Sequence, residues 1–82
     1  MALSDQAEKL AEYRARLEAG HADRISPEHV DRVLGKLEAK RAKLTAKLTA
    51  STSEAEHERL RRKLAKSEAL IEQARWLRGQ LE

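Results

Sequence analysis

The sequence predicts an all-α fold: a long antiparallel helical hairpin, coiled-coil-like, with a shorter N-terminal helix packed on its open end to give a three-helix bundle-like domain. Three observations predict it. Alanine, leucine, lysine, arginine and glutamate dominate the 82 residues, which is typical of long helices. Apolar residues recur at spacings of three and four. Helix-capping residues interrupt that pattern at two places. We expect residues 1–82 to form a single domain.

The first helix is predicted at about residues 5–19. Ser4 is a good N-cap residue, and Asp5 would lie in the first turn, where a carboxylate favours the helix dipole. Gly20 stands where a glycine commonly ends a helix. The apolar residues between these signals fall in one stripe: Leu3, Ala7, Leu10, Tyr13 and Leu17.

The second helix is predicted at about residues 27–50. Ser26 and Pro27 provide an N-cap and a proline at the first helical position. Ile25 and Val30 are spaced for a hydrophobic staple across this cap. The apolar seam that follows keeps heptad spacing and contains one arginine: Val30, Leu34, Leu37, Arg41, Leu44 and Leu48.

The third helix is predicted at about residues 54–80. Ser53 and Glu56 form a capping box, and Ser51 with Glu54 offers a competing register. Because the connection is so short, the second and third helices should be antiparallel neighbours. The seam of the third helix continues the spacing of three and four: Leu60, Leu64, Ser67, Leu70, Ile71, Ala74, Leu77 and Leu81.

Composition and motifs argue against an enzyme. The chain has no cysteine, which excludes thiol chemistry and a cysteine-ligated metal. His21, His29 and His57 lack the helical spacing of a metal site, and we find no phosphate-binding loop or nucleophile motif. We therefore expect no catalytic residues, metal or cofactor. With no apolar run long enough for a membrane span and no leader-like N-terminus, we expect a cytoplasmic protein.

Basic residues form a row beside each seam of the predicted hairpin. The handedness of two antiparallel helices places both rows on the same side, which makes one basic strip. Such a strip could bind a nucleic-acid phosphate backbone, RNA or DNA. The alternative is a solvated face, or one paired with Glu8, Glu12 and Glu18 if the first helix packs there. The strip comprises Lys36, Lys40, Lys43 and Lys47 on the second helix, and Arg59, Arg62 and Lys66 on the third.

Two further features favour protein–protein contacts. Trp76 lies on the far side of the third helix from its seam, and tryptophan is enriched at interface hot spots. Covering by the first helix would explain Trp76 equally well. The candidate interface consists of Trp76, Ala39, Ala42, Ala46, Ala65 and Ala69. We therefore expect a small scaffold or adaptor that binds itself or another helical protein, with nucleic-acid binding as the alternative.

Arg41 is the charged residue inside the seam of the second helix. Its aliphatic stem can pack while the guanidinium extends to solvent. Alternatively, it fixes helix register or the choice of partner, as polar residues at core positions sometimes do.

Overall fold

The computed structural model describes residues 3–81, which form three α-helices and one short 3-10 turn. Helix α1 spans Leu3–Glu18, α2 spans Pro27–Ala50 and α3 spans Glu54–Gln80, while the 3-10 turn spans Ala22–Arg24. The longest dimension of the molecule is 48 Å, against 19 and 17 Å for the others. The predicted all-α architecture is confirmed: α2 and α3 form the hairpin, and α1 packs against both.

Two ion pairs join the arms of the hairpin and report their direction. The Arg78 Nε lies 2.9 Å from Asp31 Oδ1, and the Arg75 Nη2 lies 3.3 Å from Glu38 Oε2. Since a later residue of α2 pairs with an earlier residue of α3, the two helices run antiparallel.

Helix α1 begins before its predicted cap. Ser4 lies inside the helix, which starts at Leu3, so Ser4 is not the N-cap residue. The Leu3 side chain is partly buried against the core. This burial favours a helix that reaches Leu3, because apolar packing usually outweighs a local capping preference.

Gly20 ends α1 in the predicted manner. The helix closes at Glu18, and Gly20 adopts a φ of +81°, a backbone conformation that favours glycine. The amide of His21 donates to the Arg16 carbonyl at 2.8 Å, and the Gly20 amide donates to the Leu17 carbonyl at 3.0 Å. These two bonds form a Schellman motif, which satisfies carbonyls at the helix end.

The turn between α2 and α3 uses the later of the two capping registers. The Glu56 amide donates to the Ser53 hydroxyl oxygen at 3.4 Å. The Ser51 hydroxyl oxygen instead accepts from the Ser53 amide at 3.4 Å, so it does not cap at Glu54. The His57 Nε2 lies 2.6 Å from the Ser51 carbonyl oxygen. A three-residue connection thus reverses the chain.

The start of α2 relies on proline and apolar packing. Ser26 occupies the N-cap position, but its side chain makes no capping hydrogen bond. Pro27 stands at the beginning of the helix, where its missing amide costs nothing. Ile25 and Val30, the predicted staple, are both buried in the core.

The core lies mainly at the open end of the hairpin. We call α1 together with residues 27–40 and 66–80 the proximal half, and residues 41–65 the distal half. The buried cluster at this end comprises Ile25, which precedes α2, together with Leu10, Tyr13, Val30, Val33, Leu37, Ile71, Ala74 and Leu77 of the proximal half. Within residues 41–65, the buried side chains are Leu44 and Leu60. The proximal half is therefore a three-helix bundle, and the distal half is a two-helix hairpin.

Candidate binding surfaces

Helix α1 lies in the trough between α2 and α3 and stops midway along the hairpin. One hollow brings Leu3 beside Lys36, Lys40 and Lys43 of α2. A second hollow brings Leu3 and Ala7 beside Lys66 of α3. The first turn of α1 thus lies between the two basic rows, and the trough continues past it into the distal half without a third helix.

The two basic rows lie on the same side of the hairpin as α1. Lys36, Lys40 and Lys43 border the trough along α2, and Lys66 borders it along α3. At 100° per residue, Lys47 continues the α2 row. The remaining members of the strip, Arg59 and Arg62, are exposed on α3 in the distal half.

Sequence reasoning missed one member of the α3 row. Lys63 is exposed, four residues after Arg59 and three before Lys66. That spacing places the three side chains on one helical face. From here on, "basic strip" means the seven predicted residues together with Lys63.

Acidic side chains from another helix lie beside the strip only at its proximal end. Asp5, Glu8 and Glu12 of α1 line a shallow groove with Lys36. Farther along, Arg62 pairs with Glu58 of its own helix at 3.2 Å, a contact exposed to water on both sides. Within residues 3–81, no carboxylate lies within ion-pair distance of the strip lysines.

Net positive charge is concentrated in the distal half. Residues 41–65 contain seven lysines and arginines against three glutamates, a formal charge of +4, whereas the whole chain carries +3. The rest of the molecule is therefore slightly acidic, with a formal charge of −1. This asymmetry gives the open part of the trough a positive potential that the overall charge understates.

Trp76 lies at the edge of the groove between α1 and α3. It is 49% exposed, so α1 covers it only in part. The Arg14 guanidinium carbon of α1 lies 5.7 Å from the centre of its ring, within cation–π range. Leu10, Gln73 and Leu77 complete a small hollow beside the indole. Trp76 therefore combines the two alternatives: α1 covers part of the ring, and the rest faces solvent.

The groove between α1 and α3 is otherwise lined mainly by small and apolar side chains, with Ser4 and Lys66 at its margin. Leu3, Ala7, Ala69 and Leu70 surround the hollow at its other end. We call the surface formed by Leu3, Ala7, Ala69, Leu70, Gln73 and Trp76 the α1–α3 groove. The opposite groove, between α1 and α2, contains more charged residues: acids of α1 and basic residues of both helices line two of its hollows.

The alanines of the candidate interface lie on two separate faces, one on α2 and one on α3. Ala42 and Ala46 are exposed on the outer edge of α2, and Ala39 borders the hollow beside Leu3. Ala65 and Ala69 are exposed on α3. Because each set lies opposite the seam of its own helix, the two sets occupy opposite edges of the hairpin. Only Ala69 belongs to the same groove as Trp76.

The structure also shows the burial of three side chains near these surfaces, two buried and one half-buried. Gln6 and Val33 are each 3% exposed, and neither was part of a predicted stripe. Val33 lines a hollow with Tyr13 of α1, so a third helix explains its burial. Arg41 is half-buried, which agrees with a packed stem and a solvated guanidinium.

Sites of other kinds are absent from the described part of the chain. Residues 3–81 hold no group of three or more histidine, aspartate or glutamate side chains arranged to bind a metal ion. Nor does any helix within those residues have the length and apolar character needed to cross a bilayer. In comparisons with known proteins, no family model, curated protein or solved structure matches the chain.

Proposed function

We propose that the protein is a non-catalytic adaptor whose α1–α3 groove binds a helix of a second protein chain. The half-exposed Trp76 beside that groove is the observation that carries the proposal. A large aromatic ring that is partly buried in the free protein can complete its burial against a partner, and such residues dominate many interfaces. A cytoplasmic location and the absence of a cofactor belong to the same proposal.

The shape of the groove suits a helix. Ala7 and Ala69 are small, so they let a third backbone approach as closely as packed helices require. Leu3 and Leu70 are only partly buried and offer apolar contact at the same end. Trp76 would anchor the other end, where Arg14 already holds its ring.

A second copy of this chain is the first candidate for the partner. The distal half buries few apolar side chains, and a core of this size leaves a small domain with modest stability. Self-association through the groove would bury more apolar surface. It would also link folding to protein concentration.

Sedimentation equilibrium from about 10 μM to about 1 mM tests the proposal, because weak dimers dissociate in that range. We expect the average mass to rise with concentration. Ala69→Glu should abolish the rise by placing a charge in the groove. Ala55→Glu is the matched control, since Ala55 is exposed in the first turn of α3, where an added acid is tolerated.

A chain that stays monomeric throughout and melts above about 70 °C would contradict self-association. An equal loss of association in both glutamate variants would mean that added charge, rather than the groove, controls assembly.

A further inference from the structure

We propose that the basic strip binds the phosphate backbone of nucleic acid where the trough lies open, in the distal half of the hairpin. The basic strip lies next to the α1–α3 groove, and Lys66 borders both, but this inference does not depend on what the groove binds. The trough is covered by α1 as far as Leu3, where Lys43 of α2 and Lys66 of α3 border it. Beyond that point, helical periodicity continues the two rows with exposed lysines and arginines.

The spacing of the strip suits a charged polymer. Lys36 and Lys47, the ends of the α2 row, are separated by about 17 Å at 1.5 Å per residue. The α3 row from Arg59 to Lys66 covers about 10 Å beside it. Neutralising several phosphates at once releases counterions, which is the main source of affinity in backbone binding.

The floor of the trough argues against a protein helix as the occupant. Leu44 and Leu60 are 2% and 7% exposed, so the hairpin has already buried them. A docking helix would therefore gain little apolar contact there, whereas a phosphate backbone needs only the exposed cations. The strip contains no aromatic side chain on which a base could stack, so binding should be independent of sequence.

Fluorescence anisotropy with a labelled DNA duplex of about 20 base pairs tests this surface directly. If about four phosphates are neutralised, affinity should fall about a hundredfold between about 50 and 200 mM salt. A second duplex of unrelated sequence should bind equally well. Failure of either duplex to bind at about 50 mM salt would overturn the proposal.

Two variants with the same net charge distinguish the contribution of the strip to binding from the effect of overall charge. One variant carries Lys43→Gln, Lys47→Gln and Lys66→Gln; the other carries Lys9→Gln, Arg24→Gln and Arg61→Gln. Each removes three of the 17 basic residues, which lowers the formal net charge from +3 to 0. All six residues are exposed, so circular dichroism should report unchanged helicity in both variants.

We expect the strip variant to lose more than about tenfold in affinity and nearly three units of salt slope, while the control stays close to the unmodified protein. Equal losses in the two variants would overturn the proposal, because only overall charge would then matter. Displacement of the duplex by polyglutamate at the same concentration of charges would also overturn it and indicate an acidic protein partner.

Discussion

The proximal and distal halves of the hairpin share the same apolar spacing, but only the proximal half forms a continuous buried core. In the proximal half, α1 adds Leu10 and Tyr13 to the seam between α2 and α3, and a continuous buried cluster results. In the distal half, Leu44 and Leu60 are buried by the two helices alone. Heptad spacing therefore specifies which helices pair, and the third helix decides where a core is complete.

The two halves also differ in how their charged side chains are used. Tertiary ion pairs between α2 and α3 lie in the proximal half, at Asp31 with Arg78 and at Glu38 with Arg75. The distal half holds the excess of positive charge instead. One end of the molecule thus stabilises the fold, and the other presents cations that no described carboxylate on another helix pairs with.

The largest expected effect comes from shortening a core leucine in each half. Leu37 is fully buried at the level reached by α1, so Leu37→Ala should cost about 3–5 kcal/mol of unfolding free energy. Leu60→Ala should cost about 2 kcal/mol, because the two-helix half can relax around the cavity. The total free energy of unfolding of a chain of this length is roughly 4–12 kcal/mol, so urea unfolding should distinguish the losses in the two variants. A larger cost for Leu60→Ala would contradict the comparison.

A smaller pair of effects, opposite in sign, comes from two glycines with open space around them. Gly20→Ala should destabilise the protein by about 1–2 kcal/mol, because Gly20 has a φ of +81° and alanine disfavours that conformation. Gly35→Ala should stabilise it by about 1 kcal/mol, because Gly35 is inside α2 with no atom near the added methyl group. Thermal melts measure both. Gains in both variants would argue against the Schellman ending of α1.

Much of the hairpin could be predicted from local signals. Gly20 and the serines before α3 are residues whose backbone preferences end or begin helices, so the chain reversals follow from short-range chemistry. The apolar seam predicts the pairing of α2 with α3, because both helices repeat it over several turns.

Tertiary contacts account for what the sequence did not predict. Ser4 looks like a cap, but burial of Leu3 draws the helix past it. Val33 is buried because α1 covers that side of α2, and periodicity within one helix does not specify which neighbour lies beside it. Lys63 was overlooked although its spacing from Arg59 and Lys66 was a usable signal.

Hydrogen–deuterium exchange of the free protein tests most directly the claim that α1 completes the core in one half only. Backbone amides in residues 27–40 and 67–80 should exchange slowly, with protection close to the global free energy of unfolding. Amides in residues 41–50 and 57–65 should exchange at least tenfold faster through local opening of the two-helix half. Equal protection along both arms of the hairpin would contradict the account.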